Sequence, residues 1–179
     1  MGGQRPIEVR AGLALEPMHP DLAVEYFAVV DRNLPRLARW EPWATTQQTV
    51  SGVRVYLAWQ AQASTSGTAL PYVIRLDGAL VGSCTARIDA VDGIAEIGYW
   101  IDAEVEGAGV AAESIGALVA EVFSRRGIGR IQARTAVDNA RSRALLERLG
   151  FEFEGVHRSA QRFVDRRVDM AVYARIAGG

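Results

Sequence analysis

The chain has 179 residues, 49% hydrophobic and 23% charged, with a formal net charge of −1, a composition that fits one globular domain over residues 1–179 with a sizeable core. That balance argues against a nucleic-acid partner, which calls for a strongly basic face. No apolar run approaches the roughly 20 residues of a membrane helix, residues 1–10 lack the apolar stretch of a secretory signal, and one cysteine, Cys84, excludes an intramolecular disulfide; the expected setting is the cytoplasm.

Ile7 to Met18 reads as a first strand entering a turn at Pro17, and Asp21 can cap a helix through about Val30. Asn33 to Trp43 contains Pro35 and Pro42 and reads as irregular. Thr46 opens a second helix with Val50, Val53 and Leu57 on one face, interrupted by Gly52. Leu70 to Leu76 and Ala79 to Ile88 flank Asp77-Gly78, and Asp92-Gly93 leads into Ile94 to Ile101, so two hairpin turns join three strands. Glu106-Gly107-Ala108-Gly109 then opens a helix with Val110, Ile115, Leu118, Val122 and Phe123 at helical spacing, ending at Gly127. Ile128 to Thr135 is a strand. Asp138 or Asn139 caps a short helix bearing Leu145, Leu146 and Leu149, which Gly150 stops. Phe151 to Val156 and Val168 to Ile176 close the chain as strands. The result is an α+β architecture with about seven strands.

Two stretches carry chemistry. In Ile97 to Glu113, a strand delivers a Gly-containing loop into a helix N-terminus, whose free N–H groups and positive dipole end suit a diphosphate. Gly107 and Gly109 allow close backbone approach; the same pattern also serves as a plain turn. In Asp138 to Phe151, Asn139 alone reads as a helix cap. Taken together, the Gly-rich loop, helix, strand and Asn139-x-x-Ser142-x-x-x-Leu146-x-x-Leu149-Gly150-Phe151 resemble the GNAT acetyltransferases. Leu34-Pro35, Trp40-Glu41-Pro42-Trp43, Ile97 to Trp100 and Glu154-Gly155-Val156 are similar to the RimJ/RimL-type branch, and the resemblance runs from about Leu13 to Arg175.

The resemblance implies a mixed, mostly antiparallel sheet splayed at its centre and flanked by helices, with acetyl-coenzyme A as co-substrate and no metal. The backbone of Trp100, Ile101 and Asp102 would pair with the pantetheine arm, and the N–H groups of Gly107, Ala108, Gly109, Val110, Ala111 and Ala112 would hold the diphosphate. Asn139 would bond near the pantetheine and Ser142 would lie near the sulfur. Trp40, Trp43 and Tyr99 are expected toward the acceptor, although core anchoring explains at least one of the tryptophans. Three positions depart from the family pattern: Glu106 stands where a donor is usual, Ala108 where a basic residue is common, and Gln161 where related enzymes carry a glutamate. Glu106 is expected to turn into solvent, away from the ligand.

The reaction so implied is attack of a neutral amine on a thioester. Only about one lysine amine in 2,500 is neutral at pH 7, against roughly 10–15% of α-amines, so an α-amine acceptor asks less of the base. Glu96 is the candidate proton acceptor, or an ordinary strand-edge charge; Ser142 is the candidate donor to the thiolate, or a first-turn helix serine. His19 and His157 have no metal-ligand spacing, and the arginines at 158, 162, 166 and 167 read as a solvated face. The acceptor would be a protein N-terminus or a small amine, and a homodimer is possible. Alternatives are an enzyme preferring a larger acyl group such as succinyl, and a coenzyme A-binding regulatory module without turnover.

Overall fold

The computed structural model describes residues 4–125 and 127–178. The elements run β1 (Ile7–Arg10), β2 (Leu13–Pro17), α1 (Ala23–Leu37), α2 (Val50–Thr65), β3 (Ala69–Leu76), β4 (Ala79–Asp89), β5 (Ile94–Ile101), α3 (Val110–Ser124), β6 (Arg130–Ala136), α4 (Ala140–Arg148), β7 (Glu152–Arg162) and β8 (Arg167–Ile176). One eight-stranded sheet has the order β1-β2-β3-β4-β5-β6-β8-β7. Every neighbouring pair is antiparallel except β5 and β6, which run parallel and are joined through α3.

The expected α+β architecture is observed, with local differences, among them Leu22 rather than Asp21 at the N-cap of α1 and an extension of β7 beyond Val156 to Arg162. Ile7 to Met18 is a hairpin rather than one strand, so the sheet has eight strands instead of seven. Gly12, at φ 77°, makes the turn, and Ala11-Gly12 is a weaker turn signal than Asp-Gly. α1 runs past Asn33 and through Pro35 to Leu37. Proline there removes the bond to the Asp31 carbonyl, and both residues lie on the exposed side of the helix. Finally, Thr49 rather than Thr46 caps α2, its Oγ1 accepting from the Gly52 N–H at 3.0 Å.

The alternation of side chains along the strands divides the core between the two sheet faces. On one face, Ile115, Leu118 and Val122 of α3 and Leu146 of α4 pack on Ala95, Ile97, Ile131 and Tyr173. On the other, Tyr26 and Val30 of α1 and Leu57 of α2 pack on Val73, Leu80 and Trp100. Side chains such as Ile115, Leu118 and Leu57 are 0% exposed, and each contributes about 1.5–3 kcal/mol by burial.

The feature that positions the site is an interruption at the sheet centre. β5 and β6 pair only from Ile94↔Arg130 to Ile97↔Ala133. Beyond that point β5 stays with β4 as far as Ile101↔Gly82, and β6 stays with β8 as far as Ala136↔Met170. Backbone bonds from Asp102 to Val81 (2.7 Å) and from Val137 to Asp169 (3.1 Å) hold each strand to its own neighbour. The two strands therefore diverge, as expected, and leave a wedge whose walls are backbone.

Candidate active site

The wedge opens into a groove of about 1290 Å³. Its walls come from the end of α1 and the following turn, the C-terminal half of β5, the loop before α3, β6 and the start of α4. Of the residues singled out from the sequence, the groove brings together Trp40, Glu96, Tyr99, Trp100, Ile101, Gly107, Gly109, Val110, Ala111, Ala112, Asn139, Ser142 and Gln161. Trp43, Asp102 and Ala108 do not line it.

At the loop end, Gly107 and Gly109 have φ near +80°, a backbone state side chains disfavour. A Cβ at Gly107 would meet nothing within 4 Å, whereas one at Gly109 would lie 3.1 Å from Glu113 Oε1. α3 begins at Val110, and its N-cap, Gly109, offers no side chain to its N–H groups. The first-turn donors of a 15-residue helix thus remain available at the groove.

Glu106 does not turn away into solvent. Oε1 accepts from Arg36 Nη1 at 2.6 Å, Oε2 accepts from Arg141 Nη1, and the side chain is only 25% exposed. One carboxylate therefore clips a guanidinium from α1 and another from α4 at the groove rim. Arg36 also donates to the Ile101 carbonyl and to Asn33 Oδ1. The orientation expected from the sequence ignored these two partners, which lie about 70 and 35 positions away in the chain.

Asp102 has a different place from the one expected. Its side chain is 2% exposed and accepts from Arg32 Nε (2.9 Å) and Nη2, from Asn33 Nδ2 (2.9 Å) and from the Glu104 N–H (3.3 Å). Its own N–H is spent on Val81. Burial alone would raise its carboxyl, but the bonds from Arg32, Asn33 and Glu104 outweigh that and hold it below the ordinary value of 3.8. Asp102 anchors β5 to α1 rather than facing a ligand.

At the centre of the groove, Asn139 caps α4 by accepting from the Ser142 N–H at 3.2 Å. Ser142 Oγ lies 2.9 Å from the Tyr99 hydroxyl. Burial pushes the Tyr99 phenol up to about 12, against a smaller opposing effect of the Ser142 bond, so it remains protonated. Trp100 turns to the opposite face, where its Nε1 donates to Tyr26 Oη at 3.3 Å.

At the far end, Glu96 Oε1 accepts from Arg134 Nε (3.1 Å) and Nη2 (2.9 Å) and pairs with Arg87 Nη2 at 3.0 Å. Beside it on β5, Gly98 is exposed, and a Cβ there would meet nothing within 4 Å. Trp40 lines this end, with the Arg39 guanidinium 4.6 Å from its ring centroid. Trp43 is 39% exposed and donates from Nε1 to Glu41 Oε2 at 3.1 Å; neither tryptophan belongs to a core cluster. Glu41 itself lines the groove. In the sequence it stands out only as part of Trp40-Glu41-Pro42-Trp43, a segment that marks the resemblance without pointing to a role for the carboxylate. Among the described residues no group of three or more His, Cys, Asp or Glu side chains could hold a metal ion. Among the described residues no helix is long and apolar enough to cross a membrane. Cys84 is buried in β4, where desolvation pushes its thiol up.

The chain has known relatives in sequence and in fold. Residues 13–152 match the model of the acetyltransferase (GNAT) domain. The ribosomal-protein-serine acetyltransferase of Escherichia coli (strain K12) is 26% identical over 171 residues, covering 95% of this chain and 96% of that protein. The solved structure of RimL, a ribosomal L7/L12 α-N-protein acetyltransferase in complex with coenzyme A, superposes with a TM-score of 0.92 at 26% identity, covering 96% of this chain and 97% of that one. The microcin C7 self-immunity acetyltransferase MccE, solved with acetyl-CoA and AMP, has a TM-score of 0.91 at 24% identity, with 95% of each chain covered; that likeness speaks for the fold. The chain belongs to the GNAT acetyltransferase family, in its RimJ/RimL-like branch, and is an acetyltransferase.

Proposed function

We propose that the chain transfers the acetyl group of acetyl-coenzyme A to the α-amine of a protein N-terminus, with ribosomal proteins as the acceptor class. The observation that carries this reading is the continuity of one groove, from the free N–H groups of α3, through the β5–β6 wedge, to an acceptor mouth of Trp40, Arg87, Glu96 and Gln161. Relatives of nearly the same length are named for acetylating ribosomal proteins, RimL at an α-amine.

The residues present suit the co-substrate. The positive-φ glycines bring backbone close to an anion, and Arg36 and Arg141 add two cations at the rim, offset in part by Glu106. Alternation along β5 turns the backbone of Tyr99 and Ile101 toward the wedge, because Asp102 donates to β4. An extended arm can use these groups as an added strand. Acetyl-coenzyme A supplies an activated acetyl thioester. The Tyr99 hydroxyl and Ser142 Oγ share a hydrogen bond in which either can donate; with the protonated Tyr99 as donor, the Ser142 hydroxyl hydrogen is free to stabilise the departing sulfur.

The test is thiol release with acetyl-coenzyme A and two peptides, one with a free α-amine and one with an acetylated N-terminus and an internal lysine. Turnover on the first and little on the second is expected. A clear lysine preference refutes the α-amine assignment. The absence of thiol release with any amine would leave only coenzyme A binding and refute the transferase reading of this groove.

A further inference from the structure

Glu41 lies in the turn after α1 and lines the groove, within electrostatic reach of Arg87, the partner of Glu96. Its position follows from the fold. The Glu41 N–H donates to the Leu37 carbonyl at 2.8 Å, continuing the helix end, and its own carbonyl accepts from Ala44 at 3.0 Å. The backbone on both sides is therefore fixed. The side chain accepts one hydrogen bond among the described residues, from Trp43 Nε1 to Oε2, which leaves Oε1 without a donor.

Glu96, the other carboxylate at this end, is differently engaged. Its Oε1 accepts from Arg134 Nε and Nη2 and is ion-paired with Arg87 Nη2, so its charge is matched by two guanidinium groups, whereas Glu41 has no ion pair among the described residues. Those contacts make Glu96 the holder of two arginines on adjacent strands. Gln161, also in the groove wall, has no proton-accepting carboxylate to offer.

We propose that Glu41 receives the proton of the acceptor ammonium, while Glu96 is a positioning residue that fixes Arg87 and Arg134 at the mouth. This deepens the function proposed above and rests on it. In the step, the ammonium N–H bond breaks and its proton moves to a Glu41 carboxylate oxygen, leaving a neutral amine. The amine lone pair forms the new N–C bond as the C–S bond of the thioester breaks. The second amine proton passes to the departing sulfur by way of the Ser142 hydroxyl, and Glu41 returns its proton to water. The products are an amide, a thiol and one released proton.

The surroundings of Glu41 favour this exchange. Burial raises its carboxyl above the ordinary range, with smaller opposing effects from the Trp43 indole and the Arg87 guanidinium. A carboxyl raised in this way is closer to an α-amine, which shortens the uphill part of proton transfer. Tyr26 on α1 also lies within electrostatic reach. Arg36, Arg39, Glu96 and Arg134 also line the groove, with Glu106, Asp138, Arg141 and Arg148 as its remaining charged residues besides Arg87.

The decisive comparison uses Glu41→Gln, Glu41→Asp and Glu96→Gln in the full chain, with an α-amine peptide at saturating acetyl-coenzyme A between pH 5.5 and 9. Removal of a positioned base costs on the order of 10²–10⁴-fold. Glu41→Gln should lower kcat by at least about 100-fold within that range and abolish the acidic limb of the pH profile. Acetyl-coenzyme A affinity by calorimetry should change less than about twofold. Glu41→Asp should recover part of the loss, and Glu96→Gln should keep the limb. A Glu41→Gln variant within about threefold of wild type overturns the proposal, as does loss of the limb in Glu96→Gln alone. A wild-type chain inert toward every amine is a different outcome, overturning the transferase function itself. In that event, carbon-13 titration of Glu41 decides its proton affinity independently, and a carboxyl titrating at the ordinary ~4.3 sinks it.

Discussion

Replacing Asp102 by alanine separates anchoring from ligand binding at the end of β5. The substitution removes a carboxylate that is 2% exposed and accepts from Arg32, Asn33 and the Glu104 N–H. Breaking a fully buried ion pair from one side costs about 3–5 kcal/mol. Arg32 is 44% exposed and can be rehydrated, and Asn33 keeps its bond to the Val29 carbonyl at 2.9 Å, so the lower end, about 3 kcal/mol, applies. For a chain of this length each kcal/mol moves Tm by about 2–4 °C, which gives a fall of about 6–12 °C by calorimetry or fluorescence. The pH dependence has a definite sign. The folded carboxyl lies below its ordinary value of 3.8, so its contribution is present above that value and is lost as pH falls through the folded one. The Tm gap between wild type and variant should therefore be widest near neutrality and close as pH falls below about 4. Acetyl-coenzyme A affinity at neutral pH and low temperature should change less than about threefold. A Tm change under about 2 °C together with a tenfold affinity loss would refute the anchoring role and return Asp102 to the ligand.

Three further outcomes are expected. Gly109→Val forces a β-branched residue into φ near +79° beside Glu113 and should weaken acetyl-coenzyme A binding at least about tenfold, as measured by calorimetry on the folded variant; unchanged affinity would move the anion site elsewhere. Glu106→Gln has two opposed effects. It removes a negative charge near the diphosphate, worth about 2–3 kcal/mol at 6 Å and an effective dielectric of 20 before compensation and screening, and it frees the Arg36 and Arg141 side chains, whose reordering costs about 1.5–2 kcal/mol each at most. The net change in affinity should stay within about threefold, with a steeper salt dependence; tenfold tightening would mean simple repulsion dominates. Burial raises the phenols of Tyr26, Tyr72 and Tyr99 above the ordinary 10. Their contribution to stability is intact below pH 10 and is lost as pH rises through the folded values, so Tm should drop above about pH 10, and a flat profile to pH 11 would contradict this.

Much of the fold is legible in the sequence because its signals are local. The Asp77-Gly78 and Asp92-Gly93 hairpins, the glycine-led start of α3 and the Asn139 cap are encoded within a few residues. The turn at Gly12 and the passage of α1 through Pro35 escape such reading, because tertiary contacts override weak or contrary propensities there. The site divides in the same way. Gly107, Gly109, Asn139 and Ser142 announce themselves by spacing. Glu106 and Asp102 are settled by Arg32, Arg36 and Arg141, whose approach depends on the packing of α1 and α4 rather than on anything nearby in the chain. Glu41 is a third instance, since only the assembled groove wall distinguishes it from an exposed loop carboxylate.

The short parallel pairing of β5 with β6 also bears on mechanics. Four register pairs stitch the half-sheet β1–β5 to the half-sheet β6–β8, whereas β6 and β8 share seven. The sheet thus has a seam, and an extended arm lying in it supplies hydrogen bonds that the seam lacks. With the arm bound as proposed, stiffness of the scaffold and occupancy of the groove would be one quantity seen from two sides: each turnover would zip the seam and each release of thiol product would unzip it. Amide exchange at Tyr99 and Ile101 should slow by the factor 1 + [ligand]/Kd where opening requires ligand release, and the sheet would be most compliant just after product leaves.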